Sequence, residues 1–258
     1  MMFILKEVFQ NLLMGLRPVA KFAQRHHSTG LNADPVLAKR VFEMFSRFVP
    51  VIGVDVLEIG PGHTLEVLEY ARAAGARSCV ALDINDYLVA DARKNVVQYL
   101  TYDGKRLPFD GQQFDLIWSH TAFEHLRYPS VTVAECFRVL RLGGKLVAVI
   151  DLGDHSVYGN SDLLPEQLFQ GLRYPEWLWN LMKWNRSSYT NRLRKSEWLT
   201  LFKEAGFIVR HEESQRNESI DNALPSLPYL HRLTREDAVT SVVTVCLEKS
   251  QGPHVASS

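Results

Sequence analysis

The sequence predicts an α/β protein built around a doubly wound, mostly parallel sheet. Three observations carry that expectation. From Val54 onward, apolar runs alternate with helical stretches, the rhythm of strand–helix–strand units with right-handed crossovers. The runs VDVLEIG, SCVALDI, FDLIWS and GGKLVAVIDL are almost continuously Val, Ile and Leu, as strands covered on both faces require. Gly60-Pro61-Gly62 falls between the first run and the next helical stretch, where the backbone must turn tightly.

Composition fits one core. The 258 residues are 46% hydrophobic and 22% charged, as in an ordinary globular chain. Lys plus Arg equal Asp plus Glu at 29 each, so no net field favours nucleic acid or an anionic membrane as partner. Cys79, Cys136 and Cys246 lie far apart in apolar runs and read as small buried hydrophobes. Lys6 and Glu7 interrupt what would be the apolar segment of a signal peptide, and no later stretch approaches about eighteen continuous apolar residues. The chain therefore reads as cytoplasmic without an integral membrane segment, an organelle transit peptide being the alternative for its acid-poor start.

The elements follow in order. Phe3, Val8, Phe9, Leu12, Leu13 and Leu16 share one broad face of an N-terminal helix, expected to pack on the protein itself. Asp34-Pro35 caps and opens a helix running to about Phe48. After the first strand come a helix from Thr64 to Ala74 closed by Gly75, the second strand, a helix from Asp86 to Leu100, the strand FDLIWS, a helix from Ser130 to Leu142, and GGKLVAVIDL. The rhythm breaks over His155 to Lys195, which holds Trp177, Trp179 and Trp184 and reads as an inserted helical, aromatic cap. Ser196 then caps a helix ending at Gly206, followed by strands near Phe207–Arg210 and Ser241–Glu248. One domain results: N-terminal helices over 1–50, a cofactor-binding core over 51–152, the cap over 153–195, a last helix and strands over 196–249, and a frayed tail over 250–258.

The sharpest motif is VLEIGPG, with Asp83 closing the second strand. A carboxylate some twenty residues beyond such a turn can accept both hydroxyls of a ribose. A dinucleotide site wants a third small residue after Gly62, where Leu65 stands, and Glu58 repels phosphates while suiting an ammonium or sulfonium group. Both points disfavour NAD.

From Val54 to Leu152 the chain resembles the class I S-adenosylmethionine-dependent methyltransferases of the small-molecule type. Glu58, Gly60 and Gly62 match that family's acid and glycines, Asp83 its ribose-binding acid, Ile84 the neighbour of the adenine, and Asp103 and Gly104 the loop at the adenine edge. FDLIWSHTAFEHL, with Ser119, matches the fourth-strand motif, and LRLGGKLVAVI the turn into the fifth strand. The resemblance implies a Rossmann-like seven-stranded sheet whose last two strands form an antiparallel hairpin, and S-adenosylmethionine as cofactor. Beyond it, IDLGDH, Tyr189 to Arg194 and SEWLTLFKEAGF look like bacterial methyltransferases of surface polysaccharides or secondary metabolites. O-methylation of a sugar or natural-product hydroxyl is then the expected reaction. An N- or carboxyl-methyltransferase, or a noncatalytic protein of the same fold that partners another enzyme, is the alternative.

A hydroxyl acceptor needs a base near the carboxyl ends of the fourth and fifth strands, where a histidine of near-neutral pKa serves well. His120 and His155 lie there; His155 leads into the cap and is preferred. Arg192 and Tyr158 are candidate substrate contacts in the cap. Glu124 and His125 resemble the acid–histidine pair by which some ubiquinone-pathway and RNA-end methyltransferases hold a divalent metal. Those families carry another acid where Thr121 stands here, so no metal is expected.

Overall fold

The computed structural model describes residues 2–16, 18–20, 22, 35–88, 97–155 and 164–250. A seven-stranded sheet runs through it in the order β3-β2-β1-β4-β5-β7-β6. Its strands are β1 (Asp55–Ile59), β2 (Ser78–Asp83), β3 (Gln98–Thr101), β4 (Phe114–His120), β5 (Leu140–Asp151), β6 (Phe207–Arg216) and β7 (Thr240–Lys249). The first five are parallel, and β7 lies antiparallel to both β5 and β6. Strand order reverses between β1 and β4, so their carboxyl ends splay apart into the crevice where ligands of open α/β sheets bind.

Both faces of the sheet are covered, which explains why the strand sequences lack polar alternation. Leu57, Ile59, Leu82, Ile117 and Ala148 turn to one side and pack with α4 (Pro129–Val139) and α6 (Lys195–Glu204), where Trp198 and Phe202 are buried. Their neighbours Val56, Ala81, Leu116, Trp118 and Val147 turn to the other side, against α2 (Pro35–Ser46) and α3 (Glu66–Ala73). Phe45 of α2 stacks on Trp118 at 5.0 Å between ring centroids. All three cysteines are buried and free, and no described helix is long and apolar enough to cross a membrane.

Several boundaries differ from expectation. Gln98–Thr101, at the end of the helix expected over 86–100, is strand β3; 86–88 and 97 are not helical, and 89–96 lie outside the described residues. The helix expected to reach Leu142 stops at Val139, because Leu140 already pairs with Phe114 in the sheet. Helix α3 starts at Glu66 rather than Thr64. Ser196 lies inside α6 and does not cap it: its hydroxyl and backbone N–H donate to Asp237 at 2.6 and 2.9 Å. Asp34 and the tail after residue 250 lie outside the described residues.

The N-terminal helix α1 (Met2–Met14) reverses its expected orientation. Phe3, Phe9, Leu12, Leu13 and Leu16 are exposed, while Glu7 and Asn11 are buried. The reason is electrostatic. Helix α5 (Glu176–Lys183) carries Lys183, 1% exposed, and a buried ammonium needs a counter-charge. Glu7 supplies it at 2.5 Å and also accepts from Arg186, while Asn11 bonds the carbonyl of Leu181 and the backbone N–H of Asn185.

Candidate cofactor and acceptor site

Two turns meet at the switch point. Gly60 ends β1 with φ +75°, and a Cβ there would come within 2.4 Å of the Ala122 Cβ. Only glycine allows that approach. On the facing side Thr121, β-branched, holds φ +48°, a costly conformation that turns β4 sharply into the short helix Phe123–His125.

Glu58 and Asp83 stand beside this turn, 4% and 6% exposed. Burial pushes the Glu58 carboxyl up to about 8, helped by the charge of Asp83, and one of its oxygens has no hydrogen-bond partner. Burial likewise pushes Asp83 up to about 7, against the pull of backbone amides from Asn85, Ile84 and Gly62. An orphaned buried carboxylate beside a second acid fits a cationic ligand bearing ribose hydroxyls and repels a pyrophosphate. The residues therefore fit S-adenosylmethionine.

The remaining cofactor candidates divide. Ile84 is 40% exposed at the end of β2, and Gly104, φ +77°, lies where a Cβ would touch its side chain at 3.6 Å, so the two loops flank one cleft. Asp103 is exposed and its Oδ1 accepts from the backbone amides of Lys105 and Arg106, folding its own turn. Ser119 is fully buried and its hydroxyl donates to the Ile59 carbonyl at 3.1 Å, tying β4 to β1 in place of a ligand contact.

At the acceptor end the sheet brings Glu124, His125 and His155 together, their potential ligand atoms all within 4.8 Å of one another. His155 Nε2 lies 3.6 Å from Glu124 Oε1 and 3.5 Å from Asp151 Oδ2. Glu124 is 2% exposed; burial raises its pKa well above the ordinary range, against the pull of its own backbone amide and that of Asp151, and no side chain hydrogen-bonds its oxygens. Burial pushes His125 down to about 3, so its ring is neutral. His120 is also shifted down by burial, and its ring stands edge-on to Phe45 at 6.4 Å.

The cap is latched onto these residues. Asn191 donates its backbone N–H to the Glu124 carbonyl and its amide to the Phe123 and Leu126 carbonyls. Arg127 reaches the carbonyls of His125, Trp184 and Arg186 and lies over the Tyr189 ring. Neither Arg127 nor Asn191 carries a local motif, and sequence reading missed both. Arg192, expected to meet an anionic substrate, donates instead to the carbonyls of Gly171 and Tyr174 at 2.9 and 2.7 Å and stacks over Trp179. Its charge organises the cap. Tyr158 lies outside the described residues.

Residues 57–148 match the family described as "Methyltransferase domain". The chain is 28% identical over 132 residues to the malonyl-[acyl-carrier protein] O-methyltransferase of Enterobacter lignolyticus, covering 50% of this chain and 49% of that protein. It is 25% identical over 114 residues to the ubiquinone/menaquinone biosynthesis C-methyltransferase of Roseobacter denitrificans, covering 41% of this chain and 46% of that one. The chain thus spans about half the length of these relatives. Among solved structures, phosphoethanolamine N-methyltransferase 2 of Haemonchus contortus, in complex with S-adenosyl-L-methionine, superposes with a TM-score of 0.55 at 18% identity, over 83% of this chain and 53% of that one. That likeness concerns the fold.

Proposed function

We propose, from the premise that residues 57–148 are a methyltransferase domain on the class I S-adenosylmethionine-dependent fold, that this chain methylates a hydroxyl of a small molecule such as a sugar or natural product. The observation that carries the cofactor half is the orphaned, buried Glu58 beside Asp83 at the switch point. The cofactor supplies an activated methyl group when bound. What remains for the protein is to align the acceptor, which contributes roughly 7–11 kcal/mol of a barrier, and to take up its proton.

Oxygen is favoured as acceptor because the open end of the cleft holds groups that can take a proton. His155 Nε2 faces two carboxyl groups, 3.6 Å from Glu124 Oε1 and 3.5 Å from Asp151 Oδ2, which set the direction of its ring. His120, packed edge-on to Phe45, is the weaker candidate. The relatives named above act on oxygen, carbon and nitrogen, so a carbon or nitrogen acceptor is the second reading. The test is calorimetric titration with S-adenosylmethionine, then an acceptor screen read by release of the demethylated cofactor. Tight NADH binding in place of S-adenosylmethionine would overturn the cofactor assignment, and turnover confined to amines would overturn the hydroxyl.

A further inference from the structure

Glu124, His125 and His155 come from two different strand ends; the methyl-transfer reading uses His155 with Glu124 beside it and gives His125 no part. Three features set the cluster apart from an ordinary buried network. Its spacing is too long for hydrogen bonding: 3.6 Å separates His155 Nε2 from Glu124 Oε1. Two ligands of one tetrahedral ion, each about 2.0–2.2 Å from it, sit roughly 3.3–3.5 Å apart. The 3.6 Å between His155 Nε2 and Glu124 Oε1 is close to that figure, and one donor atom from each of the three residues lies within 4.8 Å of the others.

The second feature is Glu124 itself. Its carboxyl is 2% exposed, no side chain hydrogen-bonds its oxygens, and its charged form is costly there unless a cation meets it. The third is the posture of His125. Its Nδ1 lies 2.6 Å from the Tyr189 carbonyl, and a carbonyl only accepts, so Nδ1 carries the proton and Nε2 keeps its lone pair. Metal-bound histidines have this arrangement, the far ring nitrogen donating to a carbonyl that fixes the tautomer. Arg127 and Asn191 hold the backbone on either side through the His125 and Glu124 carbonyls, so the donors are preorganised.

We propose that Glu124, His125 and His155 bind one divalent transition-metal ion. Two imidazoles and a carboxylate suit zinc, cobalt or manganese, whereas magnesium and calcium prefer oxygen donors throughout. The sequence argued against a metal because Thr121 occupies the place of a first acid; the structure supplies a third donor from the end of β5 instead. The site lies at the acceptor end of the cleft, where a bound cation would hold a hydroxyl oxygen and lower its pKa, taking the place of His155 as base, since a ring nitrogen that ligates a metal has no lone pair left for a proton. The binding itself does not rest on the methyl-transfer reading.

The experiment uses the full chain, stripped with chelator and titrated calorimetrically with Zn²⁺, Co²⁺, Mn²⁺ and Mg²⁺, with visible absorption recorded for the cobalt form. One equivalent of Zn²⁺ or Co²⁺ should bind at micromolar Kd or tighter, with cobalt bands of low coordination number and no saturable Mg²⁺ binding. Glu124→Gln and His155→Asn should each weaken binding at least tenfold, and His211→Asn, at an exposed histidine, should leave it unchanged. S-adenosylmethionine affinity, measured on the same preparations, reports folding and separates the two readings. Absence of transition-metal binding in the wild type, or binding that survives both Glu124→Gln and His155→Asn, overturns the proposal.

Discussion

Glu58 and Glu124 are buried to nearly the same depth at the same edge of the sheet, and both carry a carboxyl oxygen that no side chain hydrogen-bonds, yet they are positioned in opposite ways. Glu58 belongs to one strand–turn–helix unit, and Asp83 lies on the adjacent strand, two residues beyond Ala81, with which Glu58 pairs. Glu124 depends on segments far off in the chain: His155 after β5, Tyr189 and Asn191 in the cap. The cofactor end is therefore fixed by local geometry, and the acceptor end by tertiary latches. Damage to the first should abolish ligand binding, and damage to the second should spare it.

The largest effect is expected from Gly60→Ala. The added methyl would collide with Ala122 at 2.4 Å while the backbone stays at φ +75°, so both turns must shift. Strain and overpacking together should cost about 2–4 kcal/mol of stability and remove measurable S-adenosylmethionine binding. Calorimetric affinity near wild type would show that the two turns move independently. On the acceptor side, Arg127→Ala deletes a guanidinium that bonds three backbone carbonyls. It should cost about 2–4 kcal/mol and lower kcat/KM for the acceptor at least tenfold, with cofactor affinity changed less than twofold. Equal losses on both sides would erase the distinction between the two ends.

The same division governs what the sequence reveals. Gly60, Gly62, Glu58 and Asp83 were legible because a tight turn, close backbone approach and a ribose-accepting acid need specific residue types at short, fixed spacing. The seven-stranded sheet followed from the apolar runs and the family resemblance, although β3, a four-residue edge strand with exposed and half-buried positions, gave no apolar run of its own. The carbonyl bonds of Arg192 left no trace in the sequence, because an arginine in a cap looks the same whether it meets a substrate or its own carbonyls. Helix α1 was misread for a related reason: its apolar face dominates the pattern, and only the burial of Lys183 on another element turns Glu7 inward. Such pairings between distant segments leave no periodic trace.

Acidity offers a further test of the cofactor end, isolated there by mutation because burial raises Glu124 in the same direction. Glu58 and Asp83 have their pKa values raised by burial to about 8 and about 7, against ordinary values near 4. Between those limits the folded chain holds protons that the unfolded chain has released, so stability falls as pH rises. Cofactor-free protein should lose about 2–4 kcal/mol of unfolding free energy between pH 6 and 8.5, as measured in urea. Glu58→Gln should flatten that slope. A stability that rises over the same interval would mean that water or a cation already compensates the pair.

The smallest effect separates what Asp83 does for the ligand from what it does for the turn. Its Oδ1 accepts from the backbone N–H of Asn85 at 3.2 Å, and the amide of Gly62 also acts on it, so the carboxylate organises the glycine turn as well as facing the cleft. Asp83→Asn keeps one acceptor oxygen for those amides but loses the charge that strengthens bonds to ribose hydroxyls; Asp83→Ala loses both. Charge-assisted bonds contribute about 1.5–3 kcal/mol each, so the alanine variant should weaken S-adenosylmethionine binding by one to two orders of magnitude, and the asparagine variant by less. If ribose contacts dominate, a cofactor fragment lacking the ribose should bind wild type and Asp83→Ala alike. If turn organisation dominates, the fragment should weaken in parallel. Unchanged affinity of the whole cofactor in Asp83→Ala would remove this residue from the site and leave Glu58 as the sole acid of the cofactor end.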